Sequence, residues 1–181
     1  VALAILTGLA VRRGVLGPAP PTVAVGGPFQ LVDTSGATVD QDVLKGKWSV
    51  VFFGYTHCPD ICPTTLFEMG QVEPLMGAEV ARLQTVFITV DPERDTVAQM
   101  RAYVANPAFP KRLIGLTGTP AQVDVAAKAY RTFYQKAGEG PDYQVNHAAY
   151  SYLMNPKGRF ACVLPYELTP EQTAAKIKAA M

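Results

Sequence analysis

The sequence has almost no excess of charge, few cysteines and histidines, and no long apolar run. Its 181 residues include 16 Lys and Arg against 15 Asp and Glu, a formal net charge of +1. A balance this even predicts no nucleic-acid partner and no electrostatic binding to a membrane surface. Three cysteines are too few for a disulfide framework, so stability has to come from a hydrophobic core. A chain of this length can bury about 70% of its unfolded surface, enough for one domain.

The N-terminal region differs in composition from the rest of the chain. It begins with an apolar run, "VALAILTGLAV", that is shorter than the about 20 apolar residues a spanning helix needs. We interpret residues 1–13 as a truncated membrane anchor or export segment, with a plain apolar arm as the alternative. Residues 14–27 are rich in glycine and proline, which is typical of a linker. We expect residues 28–181 to form the single folded domain.

Strand and helix patterns alternate along that domain. The stretch "KWSVVFFGYT" is a nearly unbroken apolar run, which is typical of a strand buried on both faces. The alternation predicts an α/β fold with a central sheet and helices on both faces. The pattern predicts hairpins at 29–39 and 148–165, strands at 47–56, 83–91 and 112–118, and helices at 60–76, 95–106, 119–135 and 169–180.

Two of the cysteines lie in "FFGYTHCPDICPTT", between a predicted buried strand and a predicted helix. Cys58 would then lie in the loop and Cys62 in the first helical turn, where the helix dipole and free N–H groups stabilise a thiolate. A thiolate pair can form a redox-active disulfide or bind a soft metal ion such as copper. A peroxidase-like nucleophile is a third option, and two inert buried cysteines a fourth. A buried strand leading into such a helix is the thioredoxin-like arrangement.

Three other polar residues are candidates for the same site. His57 adjoins Cys58, but neighbouring residues of an extended segment point in opposite directions, so we interpret it as a loop residue. His147 precedes a predicted strand, where a lone histidine is commonly a hydrogen-bonded structural residue. A thioredoxin-like sheet would instead bring it beside the cysteines as a third ligand. Asp91 ends a buried strand at the sheet edge where α/β sheets place their sites. We interpret Asp91 as a carboxylate that orients metal ligands, and Glu93 to Asp95 as a turn.

Three segments in series, "FFGYTHCPDICPTTL", "VDPERDT" and "HAAYSYLMNPKGRF", resemble the Sco/SenC family. The similarity runs from about Gly27 to the C-terminal helix. The resemblance implies a thioredoxin-like domain tethered by an N-terminal membrane helix, facing the periplasm or the mitochondrial intermembrane space. It also implies copper, Cu(I) or Cu(II), bound by Cys58, Cys62 and His147, with Asp91 near the site. The residue before the family's histidine is often Asp, whereas this chain has Asn146, which leaves the tuning of His147 open.

The resemblance implies a role in assembling the binuclear CuA centre of cytochrome c oxidase subunit II. Two hypotheses follow from it. In the first, the protein is a copper metallochaperone that passes the ion to subunit II by ligand exchange. In the second, it is a thiol–disulfide reductase that uses Cys58 and Cys62 as its redox-active pair on the cysteines of that subunit. Other copper chaperones or thiol oxidoreductases would be further partners.

Overall fold

A computed structural model describes residues 24–181. The predicted anchor or export segment at 1–13 lies outside the described residues, as does the predicted linker up to residue 23. Within the described part, no helix is both long and apolar enough to cross a membrane. The strands are β1 (Gln30–Asp33), β2 (Thr38–Asp40), β3 (Trp48–Gly54), β4 (Leu83–Thr89), β5 (Leu113–Thr117), β6 (Tyr134–Ala137), β7 (Gln144–His147), β8 (Tyr150–Met154) and β9 (Phe160–Pro165). The helices are α1 (Ile61–Met76), α2 (Val97–Val104), α3 (Pro120–Tyr130) and α4 (Pro170–Ala180).

Seven of these strands form one mixed sheet in the order β2-β1-β5-β4-β3-β8-β9. Strands β3, β4 and β5 are parallel to one another, and the N-terminal and C-terminal hairpins extend the sheet antiparallel at its two sides. The remaining pair, β6 and β7, forms a separate two-stranded antiparallel ribbon. The sequence predicted the central sheet and both hairpins, but it did not predict this ribbon.

The centre of the sheet is β3, in which every residue is buried. Because successive side chains of a strand point to opposite faces, Phe52 and Phe53 enter different layers. Phe53 packs on Tyr130 of α3, with ring centroids 5.3 Å apart. On the other face, Val50 belongs to a cluster with Val72 of α1 and Ile177 of α4. Helices therefore cover both faces, as predicted, and they fix the carboxyl end of β3 between them.

Helix α3 is shorter than the sequence predicted. The helix predicted at 119–135 ends at Tyr130, where Arg131 takes a left-handed conformation with φ of 54° and its N–H bonds back to the helix. The chain then enters β6. Neither glycine nor proline marks this end, so the pattern gave no stop signal. The correction matters because β6 pairs with β7, the strand that ends in His147.

Candidate metal and thiol site

The two cysteines of the motif lie at the corner between β3 and α1. Cys62 is in the first turn of α1 and fully buried, whereas Cys58 lies in the preceding loop and is partly exposed. The N-cap residue Asp60 makes no side-chain capping bond. Instead, the Cys62 backbone N–H donates to the Cys58 sulfur at 3.4 Å. The sulfur therefore takes the place of a capping oxygen at a helix N-terminus, a position that stabilises negative charge.

His147 reaches this corner from the end of the β6–β7 ribbon. Its Nε2 lies 3.3 Å from the Cys62 sulfur, and its Nδ1 lies 3.0 Å from the Ala148 carbonyl oxygen. Because a carbonyl can only accept, Nδ1 is the nitrogen that donates to it, and Nε2 is the nitrogen that faces the sulfur. The imidazole is packed edge-on against the rings of Phe52 and Tyr55. The ring is thus held in the tautomer and direction of a metal ligand.

The structure brings together the three residues that the sequence singled out as ligands. The two sulfurs and the Nε2 atom of Cys58, Cys62 and His147 all lie within 4.8 Å of one another. Three atoms bound to one ion at about 2.0–2.3 Å in a trigonal arrangement lie ~3.5–4.0 Å apart, so shifts of about 1 Å or less would let all three bind one ion. Both thiols are free. A disulfide between them would require the two sulfurs to approach to about 2 Å.

The environment makes the two thiols chemically different. The hydrogen bond from the Cys62 thiol lowers the pKa of Cys58 to about 3, against the effect of partial burial and with further help from His147. Burial raises the pKa of Cys62 well above its usual range, and the neighbouring Cys58 sulfur raises it further. Cys58 is therefore the more accessible and more acidic thiol, and Cys62 is its buried, less acidic partner. This is the division of labour of a nucleophilic and a resolving thiol.

Asp91 lies near the site without touching its three central residues. Among the described residues, its carboxylate accepts hydrogen bonds from the Tyr143 hydroxyl at 2.5 Å and from Arg94 Nε at 2.5 Å. Tyr143 immediately precedes β7, the strand that ends in His147. Asp91 is therefore connected to His147 through Tyr143 and β7. Its role as a carboxylate that orients a metal ligand stays a prediction, and any such effect would have to pass through Tyr143.

Sequence reasoning missed Asp95, which it interpreted as part of a turn. The cap of α2 is Thr96, and Asp95 is fully buried. Its carboxylate accepts hydrogen bonds from Thr56 N–H at 3.0 Å, Thr56 Oγ1 at 2.6 Å and Thr89 Oγ1 at 2.6 Å. One local signal could have found it. Asp95 directly precedes Thr96, which caps α2, so the Asp95 carboxylate is not needed as a helix cap.

His57 stays outside the cysteine corner, as the sequence interpretation expected. Its side chain is 45% exposed, and its Nδ1 lies 3.6 Å from Asp95 Oδ1. His57, Asp91 and Asp95 form a second group of candidate ligands by distance. The carboxylates of that group already accept the bonds described above, including one from the Arg94 cation. The group is therefore better explained as a hydrogen-bonded support than as a second metal site.

An open groove exposes the site to solvent. It is lined by Cys58, Pro59 and Ile61 on one side and by Asn146 and His147 on the other. Cys162, the third cysteine, lies in β9 and packs against the core cluster under α4. The groove therefore gives outside molecules access to the Cys58 sulfur and the imidazole, while Cys62 remains behind them.

Comparison with known proteins places this geometry in a family. The SCO1/SenC family model matches residues 18–181. The mitochondrial protein SCO1 homolog 1 of Arabidopsis thaliana is 43% identical over 157 residues, which is 84% of this chain and 45% of that protein. The chain thus spans less than half the length of this relative.

Solved structures agree with that result. The copper-bound structure of ScoI from Bradyrhizobium japonicum is 44% identical, with a TM-score of 0.78 over 87% of this chain and 100% of that one. BsSco, described as having a disulfide switch and as a member of the Sco family of cytochrome c oxidase assembly proteins, is 26% identical, with a TM-score of 0.69 over 89% of this chain and 96% of that one. These likenesses confirm the predicted thioredoxin-like α/β fold. The match over residues 18–181 shows that the chain belongs to the SCO1/SenC family.

Proposed function

We propose that this protein is a copper metallochaperone that binds copper through Cys58, Cys62 and His147. The observation that carries the proposal is the convergence of two sulfurs and an imidazole nitrogen within 4.8 Å. Soft thiolate ligands select Cu(I), and imidazole is a good third ligand for copper. A structural zinc site would want four protein ligands, and this cluster offers three. The copper-bound relative from Bradyrhizobium japonicum supports the same choice of metal.

The ion would be cargo that the protein receives and passes on. Cys58 and His147 line the open groove, so the ligands of a partner can approach the ion from that side. The partner would replace these two ligands one at a time while the buried Cys62 sulfur still holds the ion. We propose cytochrome c oxidase subunit II as the receiving partner, with the CuA centre as the product. The description of BsSco as a cytochrome c oxidase assembly protein supports this assignment.

The proposed location is the periplasmic or intermembrane-space side of a membrane, with attachment through the N-terminal segment. The mitochondrial Arabidopsis relative supports the second of these compartments as a setting for the family. Both compartments would bring the groove to the membrane side on which an oxidase copper centre is assembled. The domain division is part of the same proposal, with residues 1–13 as anchor, 14–27 as linker and 28–181 as the copper-binding domain.

A second candidate function is thiol–disulfide reduction of the same partner. The observation that favours it is the lowered pKa of Cys58, about 3, beside a buried thiol. The Cys58 thiolate would attack one sulfur of a substrate disulfide and form a mixed disulfide with it, while the other substrate sulfur leaves as a thiolate. The Cys62 sulfur, on losing its proton, would then attack Cys58 and release the second substrate thiolate. The substrate gains two electrons, and the pair becomes the Cys58–Cys62 disulfide.

Replacement of His147 separates the two functions. We expect His147→Ala to weaken Cu(I) binding by more than the roughly 10–100-fold that loss of an outer-sphere partner costs. Thiol–disulfide exchange should change little, because both cysteines remain. The measurements are competition for Cu(I) with a chromophoric chelator and reduction of a small disulfide.

The matched control is His57→Ala, which removes the other histidine of the chain, adjacent to Cys58 but outside the cluster. It should leave the Cu(I) affinity at the wild-type value. Equal affinities of the His147→Ala variant and the wild-type protein would refute the three-ligand model. If exchange activity failed together with copper binding in His147→Ala, the imidazole would belong to the redox chemistry as well.

A further inference from the structure

The turn from Asp91 to Asp95 carries two buried carboxylates that point to different parts of the site. Asp91 is 4% exposed and Asp95 is fully buried. The Asp95 N–H donates to the Asp91 carbonyl oxygen at 2.9 Å, so the two residues are held in one tight unit. A buried carboxylate is costly unless hydrogen bonds satisfy it. The partners of each carboxylate therefore show what the turn is built to hold.

Asp95 holds the loop that carries Cys58. Its carboxylate accepts both the N–H and the hydroxyl of Thr56, at 3.0 and 2.6 Å. Thr56 is the second residue of the reverse turn in which the Cys58 N–H donates to the Tyr55 carbonyl oxygen at 3.2 Å. Gln99 Nε2 donates to the same Thr56 hydroxyl at 3.2 Å. Two bonds to one carboxylate fix both the direction and the position of the chain as it enters the cysteine loop.

Asp91 holds the strand that carries His147. The Tyr143 hydroxyl donates to one of its oxygens, and Arg94 Nε donates to the other. Arg94 also donates from Nη1 to the Pro141 carbonyl oxygen at 3.0 Å, and its guanidinium lies 3.6 Å from the centroid of the Tyr143 ring. The Lys136 ammonium also lies over the Tyr143 ring, with Nζ 3.7 Å from the ring centroid. The segment that enters β7 is thus fixed to the turn by its backbone, its ring and its hydroxyl.

These bonds matter because the histidine and the cysteines belong to different sheets. The cysteine corner follows β3 of the seven-stranded sheet, whereas His147 ends the separate β6–β7 ribbon. Strand β8, which begins at Tyr150 and pairs with β3, restrains His147 from its C-terminal side. From the β7 side, no strand ladder among the described residues sets the distance from His147 Nε2 to the Cys62 sulfur. We propose that the Asp91–Asp95 turn is a brace that sets this distance, with Thr56 as the positioning residue of the cysteine arm and Tyr143 as the positioning residue of the histidine arm. The part of this inference that concerns copper rests on the proposed function.

Two matched pairs of substitutions test the brace. Tyr143→Phe removes only the hydroxyl bond to Asp91 and leaves the ring between its two cations. Tyr134→Phe is its control, since the Tyr134 hydroxyl bonds to Asp124 on the protein surface. Thr56→Val removes the side-chain bond to Asp95, and Thr56→Ser restores it. The readouts are Cu(I) affinity, the imidazole ¹⁵N signals of His147 in the reduced metal-free protein, the alkylation rate of Cys58, and Tm.

We expect Tyr143→Phe to weaken Cu(I) binding by about 10-fold, the lower range for an outer-sphere partner, and to shift or broaden the His147 signals. The alkylation rate of Cys58 should stay at the wild-type value in Tyr143→Phe. Tyr134→Phe should leave both site readouts unchanged. Thr56→Val should slow Cys58 alkylation, and Thr56→Ser should return it to the wild-type rate.

The brace is refuted if Tyr143→Phe and Tyr134→Phe give the same affinity and the same His147 signals. It is equally refuted if Thr56→Ser behaves like Thr56→Val, because the hydroxyl would then have no positioning role. Should Tyr143→Phe fail to fold, as Tm would reveal, the Thr56 pair decides alone. A wild-type protein that binds no Cu(I) would overturn the proposed function, while the metal-free signals and alkylation rates would still decide the brace.

Discussion

Gly54, the last residue of β3, is the position at which the smallest change to the chain should disturb the site. A methyl group added there would lie 2.7 Å from the Cys62 sulfur, 2.8 Å from Phe87 Cε2 and 3.1 Å from Phe52 Cε1. Ordinary contacts of a Cβ begin at 3.4 Å, so the sulfur or the methyl group has to move by roughly 0.7 Å or more. The site has little room for this, because Cys62 and both phenylalanines are buried. We therefore expect Gly54→Ala to strain the core and displace the sulfur together.

The size of the effect follows from the packing. Adding a methyl group to a well-packed core costs about 1–3 kcal/mol of unfolding free energy. In a domain of this size each kcal/mol lowers Tm by about 2–4 °C, which thermal unfolding measures directly. A displaced Cys62 sulfur also leaves its 3.3 Å contact with His147 Nε2. Cu(I) affinity should therefore fall, in a competition assay with a chelator, by more than the loss of stability alone explains.

Gly27→Ala is the matched control for this substitution. A methyl group at Gly27 would meet only the Ala129 Cβ, at an ordinary contact distance of 3.5 Å. We expect Tm and Cu(I) affinity to stay at the wild-type values in that variant. If Gly54→Ala also kept both values, the reasoning that the glycine makes room for the sulfur would be wrong. A lower Tm with unchanged copper affinity would show that the core yields and the sulfur does not.

Three further predictions concern the cysteines and one helix. Oxidation to the Cys58–Cys62 disulfide should abolish Cu(I) binding, because no thiolate remains; equal copper loading of oxidised and reduced protein would contradict this. Since the pKa of Cys58 is about 3, its alkylation rate should be constant from roughly pH 5 to 8, where the thiolate form prevails. A rate that rose in proportion to hydroxide over that range, followed by mass spectrometry, would be the opposite result. Thr169→Ala removes the bond that caps α4 at Gln172 N–H and should cost about 1 kcal/mol in denaturant unfolding, with copper affinity unchanged.

The sequence was most informative where local physics decides the structure. The run around Val50 predicted a doubly buried strand, and Thr119 and Thr169, each followed by proline, predicted helix starts that the structure confirms. The end of α3 was predicted wrongly, because residues 131–135 contain no breaker and Arg131 stops the helix through its backbone conformation alone.

For the site, the local sequence pattern predicted the position of the two cysteines but not the residues that surround them. The spacing of Cys58 and Cys62 before a helix predicted a thiolate corner, and the structure places both there. His147 entered through the expected thioredoxin-like topology and the family resemblance, since no local pattern distinguishes it from a structural histidine. Asp95 was missed because its partner Thr56 lies 39 positions away in the chain. A contact of that separation depends on how β3 and β4 pair, which no single segment encodes.

The separation of the ribbon from the main sheet has a consequence for how the site opens. Strand β3 is bonded to neighbours on both sides, so its amides should exchange with solvent only on global unfolding. The ribbon is joined to that framework by side chains, such as the Tyr55 hydroxyl that donates to Gln144 Oε1 at 2.8 Å. Breaking a few such bonds costs far less than unfolding a domain. We therefore expect the amides of the ribbon to exchange with solvent by local opening, and so faster than those of β3.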